Sequence, residues 1–477
     1  MADAVSSFSA GSHAATVKPN TNQTLNRICF IETPFRALYT AVHRSGRSTV
    51  GDDHQAHLLG VPLHLENRRL RLVYSSAMTM HLLLLALLSP SAAHANGQTT
   101  HLWITDTAVT HVENESLAQL LYEQSNSLRV GTMFPDGGYA IGHEYAEVAH
   151  WEPFQDRFRD WILDHYDDPS SPEAAPHVAF YLGLASHGMA DQVFDSMYME
   201  RSRVYDADHG WSESAESLDT SQDVVFADLT NPQTVPTMEI PSVLPELFAD
   251  AGVAVDMATL EDGQGWLEIA VDGVTGMSEV STLVDSHTES FPWGCSHLLD
   301  ENAPGAPPFE ARMVAKYWEA LWAGLHGETP PLSVIGSWPE PQAEGFPHEA
   351  GDVEARVSLV FNRGLYEETV TADHFTAETS AVPVGLDLDL FYGDDSHVVN
   401  IAPSEGWLTD AVHTVAVNGA LGTDGRTQDE PFELEFNTGS YAETDPKEST
   451  EGCDCSHANA PKWSWLWLVP LLAMRRR

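Results

Sequence analysis

The sequence has few cysteines, few basic residues and few long apolar runs. Four cysteines in 477 residues leave no disulfide framework, so stability must come from buried apolar cores. Cys29 lies far upstream, Cys295 stands alone, and Cys453 and Cys455 belong with the tail. Against 70 Asp and Glu there are 23 Lys and Arg, a formal charge of -47. Such a surface repels phosphate backbones and anionic membranes, so no nucleic-acid partner is expected, and the plain reading of the charge is solubility. No internal repeat stands out. The length exceeds the usual single-domain range and predicts two or three domains, each able to bury a core.

Targeting signals are read at both ends. Residues 78–95 hold a short leucine-rich run, then Ala93-His94-Ala95 before Asn96, the pattern of a signal peptide with a small-x-small cleavage site. The run is too short for a stable membrane anchor. The preceding residues 1–77 show no clear hydrophobic periodicity and are read as an over-extended or disordered N-terminal region. Residues 441–477 form a linker followed by a tail, with Cys453 and Cys455, Trp463, Trp465 and Trp467 in a short apolar stretch, and terminal Arg475 to Arg477. Arginines after an apolar stretch hold that end on the cytoplasmic side. The tail resembles C-terminal sorting tags of myxobacterial surface proteins, which implies attachment to the cell envelope.

Between these ends the texture changes once. Residues 96–328 read as helical: Leu117, Leu120 and Leu121 mark one apolar face, Phe154, Phe158, Trp161 and Ile162 another, and residues 178–199 form a long apolar helix. Further helices are predicted over 245–251 and 308–325. Prolines 330, 331, 339 and 341 then mark a linker. Beyond it, residues 355–361, 382–390, 397–402, 413–418 and 432–436 alternate with period two, which predicts a small antiparallel sandwich over 329–440. The fold class expected is therefore multidomain, an all-α bundle followed by a small all-β sandwich.

The chemistry concentrates between His111 and Asp223. His187 and Asp191 are four apart on the long helix and share a face that Asp195 continues by one turn. Apolar neighbours such as Phe180, Leu182 and Val193 bury that helix. Buried carboxylates without counter-charge are costly, so a metal or a buried base is the natural compensation. His143 and His150 are two helical turns apart and could also face inward. Asp136 sits in a Phe-Pro-Asp-Gly-Gly turn that can aim a carboxylate into a cavity. His209 and Glu213 form a reserve pair. Cys295 with His287 and His297 reads as a packed loop rather than a thiolate site.

Taken together, Thr110-His111-Val-Glu, Phe134-Pro-Asp136, His150-Trp-x-Pro-Phe154, Ser186-His187-x-x-Ala-Asp191, the Asp219-x-x-x-Asp223 pair and Val235-Pro resemble the zinc-dependent phospholipase C superfamily. The resemblance is nearest to its glycosylphosphatidylinositol-specific phospholipase D branch, over about 101–251. It implies a helical bundle with one to three zinc ions in a cleft. His111, His150, His187 and Asp191 would be ligands, and Asp136 a catalytic base or water-orienting group. Further ligand positions fall on Asp195, Asp219, Asp223, His143 and Glu216. Where the branch carries two more histidines this chain has Asp195 and Ala215 or Glu216, so one position is harder and suits Ca2+ or Mn2+. Residues 330–440, with their Val-Phe-Asn-Arg-Gly and Phe-Glu-Leu-Glu-Phe-Asn-Thr-Gly segments, are similar to bacterial Ig-like domains of surface-layer proteins. Such a module is read as a spacer or adhesion element.

The function expected is a secreted, surface-displayed, monomeric, metal-dependent phosphodiester hydrolase acting on phospholipid or a lipid-linked phosphate. Two alternatives stand beside it. One is a surface adhesin with a degenerate, non-catalytic phospholipase-like domain; the other is a nuclease of the same superfamily, which the net charge disfavours.

Overall fold

The computed structural model describes residues 96–209, 216–230 and 233–440. The expected signal peptide, the region before it, the sorting tail and Cys29, Cys453 and Cys455 lie outside them, as do Glu213 and Ala215. Helices fill the first part: α1 Gln98–Val109, α2 Glu115–Glu123, α3 Ser125–Met133, α4 Gly137–Ile141, α5 Tyr145–His150, α6 Glu152–His165 and α7 Ala175–Val193. The last runs into a π-helical turn, Phe194–Met199, and then α8 Glu200–Tyr205. After these come α9 Glu216–Thr230, α10 Leu244–Asp250, α11 Met257–Ser278, α12 Ser281–Ser290, α13 Pro292–Ser296 and α14 Pro307–Leu325. Among the described residues no helix is long and apolar enough to cross a membrane.

Helix α7 is the axis of the helical part, buried on nearly every side as its apolar composition requires. It crosses α3 closely because Gly131 and Gly183 face each other's backbones. A Cβ at either would strike the opposite helix, Phe180 O in one case and Leu128 O in the other. That close approach carries the carbonyl of Thr132 to the ring of His187. The long helix expected over 178–199 is thus α-helical only to Val193. The i→i+5 bonding that follows widens the spiral, so residues four apart there no longer superimpose.

Eight strands follow: β1 Val334–Trp338, β2 Val357–Leu365, β3 Phe375–Thr379, β4 Val382–Val384, β5 Leu386–Asp389, β6 Ser396–Pro403, β7 Val412–Val417 and β8 Phe432–Asn437. They form two four-stranded antiparallel sheets, ordered β1-β2-β6-β5 and β4-β3-β7-β8. Leu359, Phe361, Val399 and Ile401 of the first sheet share one apolar core with Phe375, Val415, Leu434 and Phe436 of the second. The run at 382–390 splits at Gly385 into β4 and β5, which serve different sheets.

The central strands of the first sheet are buried on both faces. Alternate residues point away from the β core: Val360 and Val398 join the apolar cluster of the helices, and Asn400 donates Nδ2–H to Ser196 O at 2.8 Å. A side-chain period of two thus serves two cores at once.

Candidate metal centre

Helix α1 brings the first donor. It has no cap of its own at Gly97; instead the buried carboxylate of Asp223, from α9, accepts the backbone N–H of Thr99 at 3.2 Å and of Thr100 at 2.8 Å. Two of the helix's orphan donors are satisfied in this way. His101, in that same first turn, is buried with Ile104, Thr105 and Ala108 on one face. His111 lies past the helix end, exposed and roughly 15 Å further along the axis. The Thr-His-Val-Glu match at His111 thus falls outside the buried cluster of donors, and the Thr100-His101 pair brings its histidine into it. The i, i+3, i+4, i+7 face of α1 was the signal that could have found it.

Four other donors converge on His101's neighbourhood. Nε2 of His150 and Nε2 of His187 are 3.0 Å apart. Asp136 Oδ1 lies 3.3 Å from the first and 3.6 Å from the second. Asp191 Oδ2 lies 3.7 and 3.3 Å from the same two atoms. Tetrahedral zinc with bonds of ~2.0–2.1 Å has donor–donor edges of ~3.3–3.4 Å, and the three separations within His150, His187 and Asp191, 3.0 to 3.7 Å, bracket that value. His187 Nδ1–H donates to Thr132 O at 2.8 Å and His150 Nδ1–H to Ala146 O at 2.6 Å. Each neutral ring thus presents a bare Nε2 lone pair, and two facing lone pairs require a proton or a cation between them. Asp136 Oδ1, Asp191 Oδ1 and both nitrogens of His101 are buried without a well-formed hydrogen bond. A divalent ion fits this donor set.

The second oxygen of Asp191 turns to the other side, 3.0 Å from His101 Nε2. His101 stacks on His187 with ring centroids 4.0 Å apart. His101, Asp136 and His187 also offer donor atoms within 4.8 Å of one another. A carboxylate with its two oxygens on different imidazoles can bridge two cations. The donors are nearly all enclosed; Asp136, 14% exposed, is the one nearest solvent, and Gln98 donates to its Oδ2.

The electrostatics follow from this crowding. Burial opposes a charge on His187, but Asp191 and Asp136 outweigh it and raise its pKa to about 10. Burial alone would raise Asp191; His187 and His101 bring it down to about 2. Asp136 is likewise held below the usual carboxylate range by His187 and His150 against the effect of burial. His101 is pushed down by burial and by His187, which keeps its ring neutral. A metal entering here must displace the His187 proton, so its affinity falls as the solution is acidified.

The remaining expected ligands stand elsewhere. Asp195 is fully buried in the π-helical turn, where the Tyr392 hydroxyl donates to Oδ2 and burial drives the carboxyl well above its usual pKa. His143 is half-buried, its Nδ1 accepting Tyr145 N–H at 3.2 Å, outside the donor set. Asp219 is half-buried on α9, and Glu216 opens that helix. Asp223 uses both oxygens to cap α1, which corrects its expected role as a ligand. Asp136, expected as a base, stands among the donors themselves. His209 is exposed. Cys295 is packed as expected, but on the short helix α13 rather than in a loop, and its burial pushes the thiol up to about 12.

Replacing Asp223 by alanine is expected to cost about 2 kcal/mol in a denaturant melt while leaving metal stoichiometry intact. Metal loss at unchanged stability would make Asp223 a ligand after all.

No family model matches the chain. Part of it is similar to phosphatidylinositol-glycan-specific phospholipase D: 31% identical to the rat protein over 130 residues, 25% of this chain and 15% of that one. The human protein is 29% identical over 115 residues, 22% and 14% of the two chains. The protein of Dictyostelium discoideum is 31% identical over 115 residues, 23% and 12%. The chain thus spans about a seventh of the length of these relatives. A solved S-layer protein, SbsC, aligns with 61% of this chain and 45% of its own at 8% identity, with a TM-score of 0.19; a value so low carries no argument about fold.

Proposed function

We propose that the chain is a metal-dependent phosphodiester hydrolase acting on phospholipid or lipid-linked phosphate. The observation that supports this best is the convergence of Asp136 and Asp191 on the facing Nε2 atoms of His150 and His187, in a chain partly similar to phosphatidylinositol-glycan-specific phospholipase D. Two imidazoles and two carboxylates favour zinc, which in such a site polarises a phosphoryl oxygen and acidifies a bound water.

The chain's own residues supply the rest. Thr132 O and Ala146 O fix the tautomers and orientations of His187 and His150. Gln98 holds Asp136, and Asp223 holds the first turn of α1 and with it His101. His101, neutral and without a hydrogen bond of good geometry on either nitrogen, has a ring lone pair that could be donated to a second cation. Half-buried Tyr139 and Trp151 lie against His150, with ring centroids 5.1 and 5.9 Å away, and form the wall a substrate would meet.

The wider reading includes secretion and surface display, supported by the end sequences, and an Ig-like type for the two sheets, supported by their antiparallel order. The chain acts as a monomer in this reading. Nuclease activity is disfavoured by the charge of -47.

A second reading is favoured by one feature. Four protein donors are the mark of structural zinc sites, whereas catalytic ones use three and keep an open position. A surface protein with a stabilising ion and no turnover would show the same geometry.

The test is hydrolysis of a chromogenic phosphocholine ester and of phosphatidylinositol vesicles by the purified chain, with and without chelator, followed by zinc addition. Chelator-sensitive turnover restored by zinc supports the hydrolase. A melting temperature that falls on chelation, with no turnover at any zinc level, supports the structural ion instead.

A further inference from the structure

The β region touches the metal centre through two segments that bear its donors. From the loop between β5 and β6, the Tyr392 hydroxyl donates to Oδ2 of Asp195, one turn beyond Asp191. The neighbouring Gln192 is gripped at both ends of its amide: His397 N–H donates to Oε1 at 2.6 Å, and Nε2–H donates to Asp395 O at 3.2 Å. The Tyr392 ring also packs on Trp151, the residue after His150, with centroids 4.9 Å apart. Asp195 is fully buried, and its other oxygen has no hydrogen-bond partner. Among the described residues Tyr392 is the donor that holds this carboxylate.

We propose that Tyr392 is a positioning residue of the metal centre, and that the β region, through it, sets how tightly the centre holds its ion. The inference rests on the metal-centre reading above. It differs from the spacer or adhesion role that the strand pattern of 329–440 implies. The π-helical turn gives the structural reason. Where the spiral is widened, its own i→i+4 bonds no longer fix the chain that follows Asp191. Three hydrogen bonds from residues 392–397 supply that constraint from outside. Loss of a group bonded directly to a metal ligand typically costs ~10–100-fold in metal affinity; Tyr392 acts one residue further out, so the lower end is expected.

The experiment uses the full chain and zinc itself, with the dissociation constant read by competition with a chromophoric chelator. Y392F keeps the ring on Trp151 and removes the hydroxyl alone. It is expected to weaken zinc binding by ~10-fold. In a cycle with D195N, the doubly substituted chain is expected to bind no more weakly than D195N alone, because Tyr392 acts through Asp195. The visible spectrum of bound Co2+ should shift in Y392F, since the donors around it are displaced. Should D195N not fold, that spectrum decides alone. Unchanged zinc affinity in Y392F, effects that multiply in the cycle, or a Co2+ spectrum identical to the wild type with only a lower melting temperature would each overturn the proposal while sparing the metal centre. A wild-type chain that takes up no zinc would overturn both.

Discussion

Replacement of His187 by alanine is expected to empty the centre of metal and to lower phosphodiester turnover by ~10³-fold or more, the equivalent of about 4 kcal/mol of transition-state stabilisation. His187 stands among the other donors: its Nε2 lies 3.0 to 3.6 Å from the donor atoms of His150, Asp136 and Asp191. Without it the two carboxylates lose a buried counter-charge, one that together with His101 brings Asp191 down to about 2. The same substitution at His111 is expected to change neither metal content nor turnover, since that side chain is exposed beyond the end of α1. Metal analysis and a chromogenic assay on the two variants, side by side, read the contrast. Equal losses in both would mean that His111 reaches the site in solution.

The second large effect is expected at Glu152, the residue that joins the helices to the sheets. Its buried carboxylate lies 3.0 Å from Arg363 Nε and 3.2 Å from His397 Nε2, and accepts hydrogen bonds from Tyr317 Oη at 2.9 Å and Gly364 N at 3.1 Å. Burial alone would raise its pKa; His397, Arg363 and Tyr317 together bring it to about 2. Glu152→Ala leaves a guanidinium and an imidazole buried without their shared partner, which costs about 3–5 kcal/mol. Arg363 keeps Asp156 and Asp424 beside it, so the lower end of that range is expected. A denaturant melt measures the loss. Limited proteolysis across residues 326–333 should also become faster as the sheets loosen from α6. A change below about 1 kcal/mol would mean that the interface is held by apolar packing alone.

How far the residues disclosed the structure differs from element to element. Helix α7 was legible as a long, nearly uninterrupted apolar run, and α14 from the aromatic residues Tyr317, Trp318 and Trp322 it carries after its opening prolines. Helix α11 was not, although Leu260, Leu267, Val271 and Val274 mark its buried face. Its four glycines lower helix propensity, yet one of them is structural: at Gly263 a Cβ would meet the carbonyl of Gly137 2.7 Å away. Strands β2 and β6 were legible as strands, but their second buried face was not. Alternation in a sequence shows that two faces differ, and leaves open what covers each.

In the site, His150, His187, Asp136 and Asp191 are brought together by tertiary packing that helical spacing alone could support for only one pair, His187 and Asp191. His101 was hidden behind a motif match ten residues downstream. Asp223 was hidden by its chemistry, because a carboxylate that caps a distant helix looks in sequence like one that binds a cation. Tyr392 could not be read at all, for it lies some 200 residues from the aspartate it holds.

His150, His187, Asp136 and Asp191 are expected to share a divalent ion. Elemental mass spectrometry of the purified chain tests this most directly. Stoichiometric zinc, absent from the His187→Ala chain and removed from the wild type by chelator together with its turnover, is the predicted result. A wild-type chain without bound metal, whose stability and activity are the same with zinc added and with zinc removed, would contradict it.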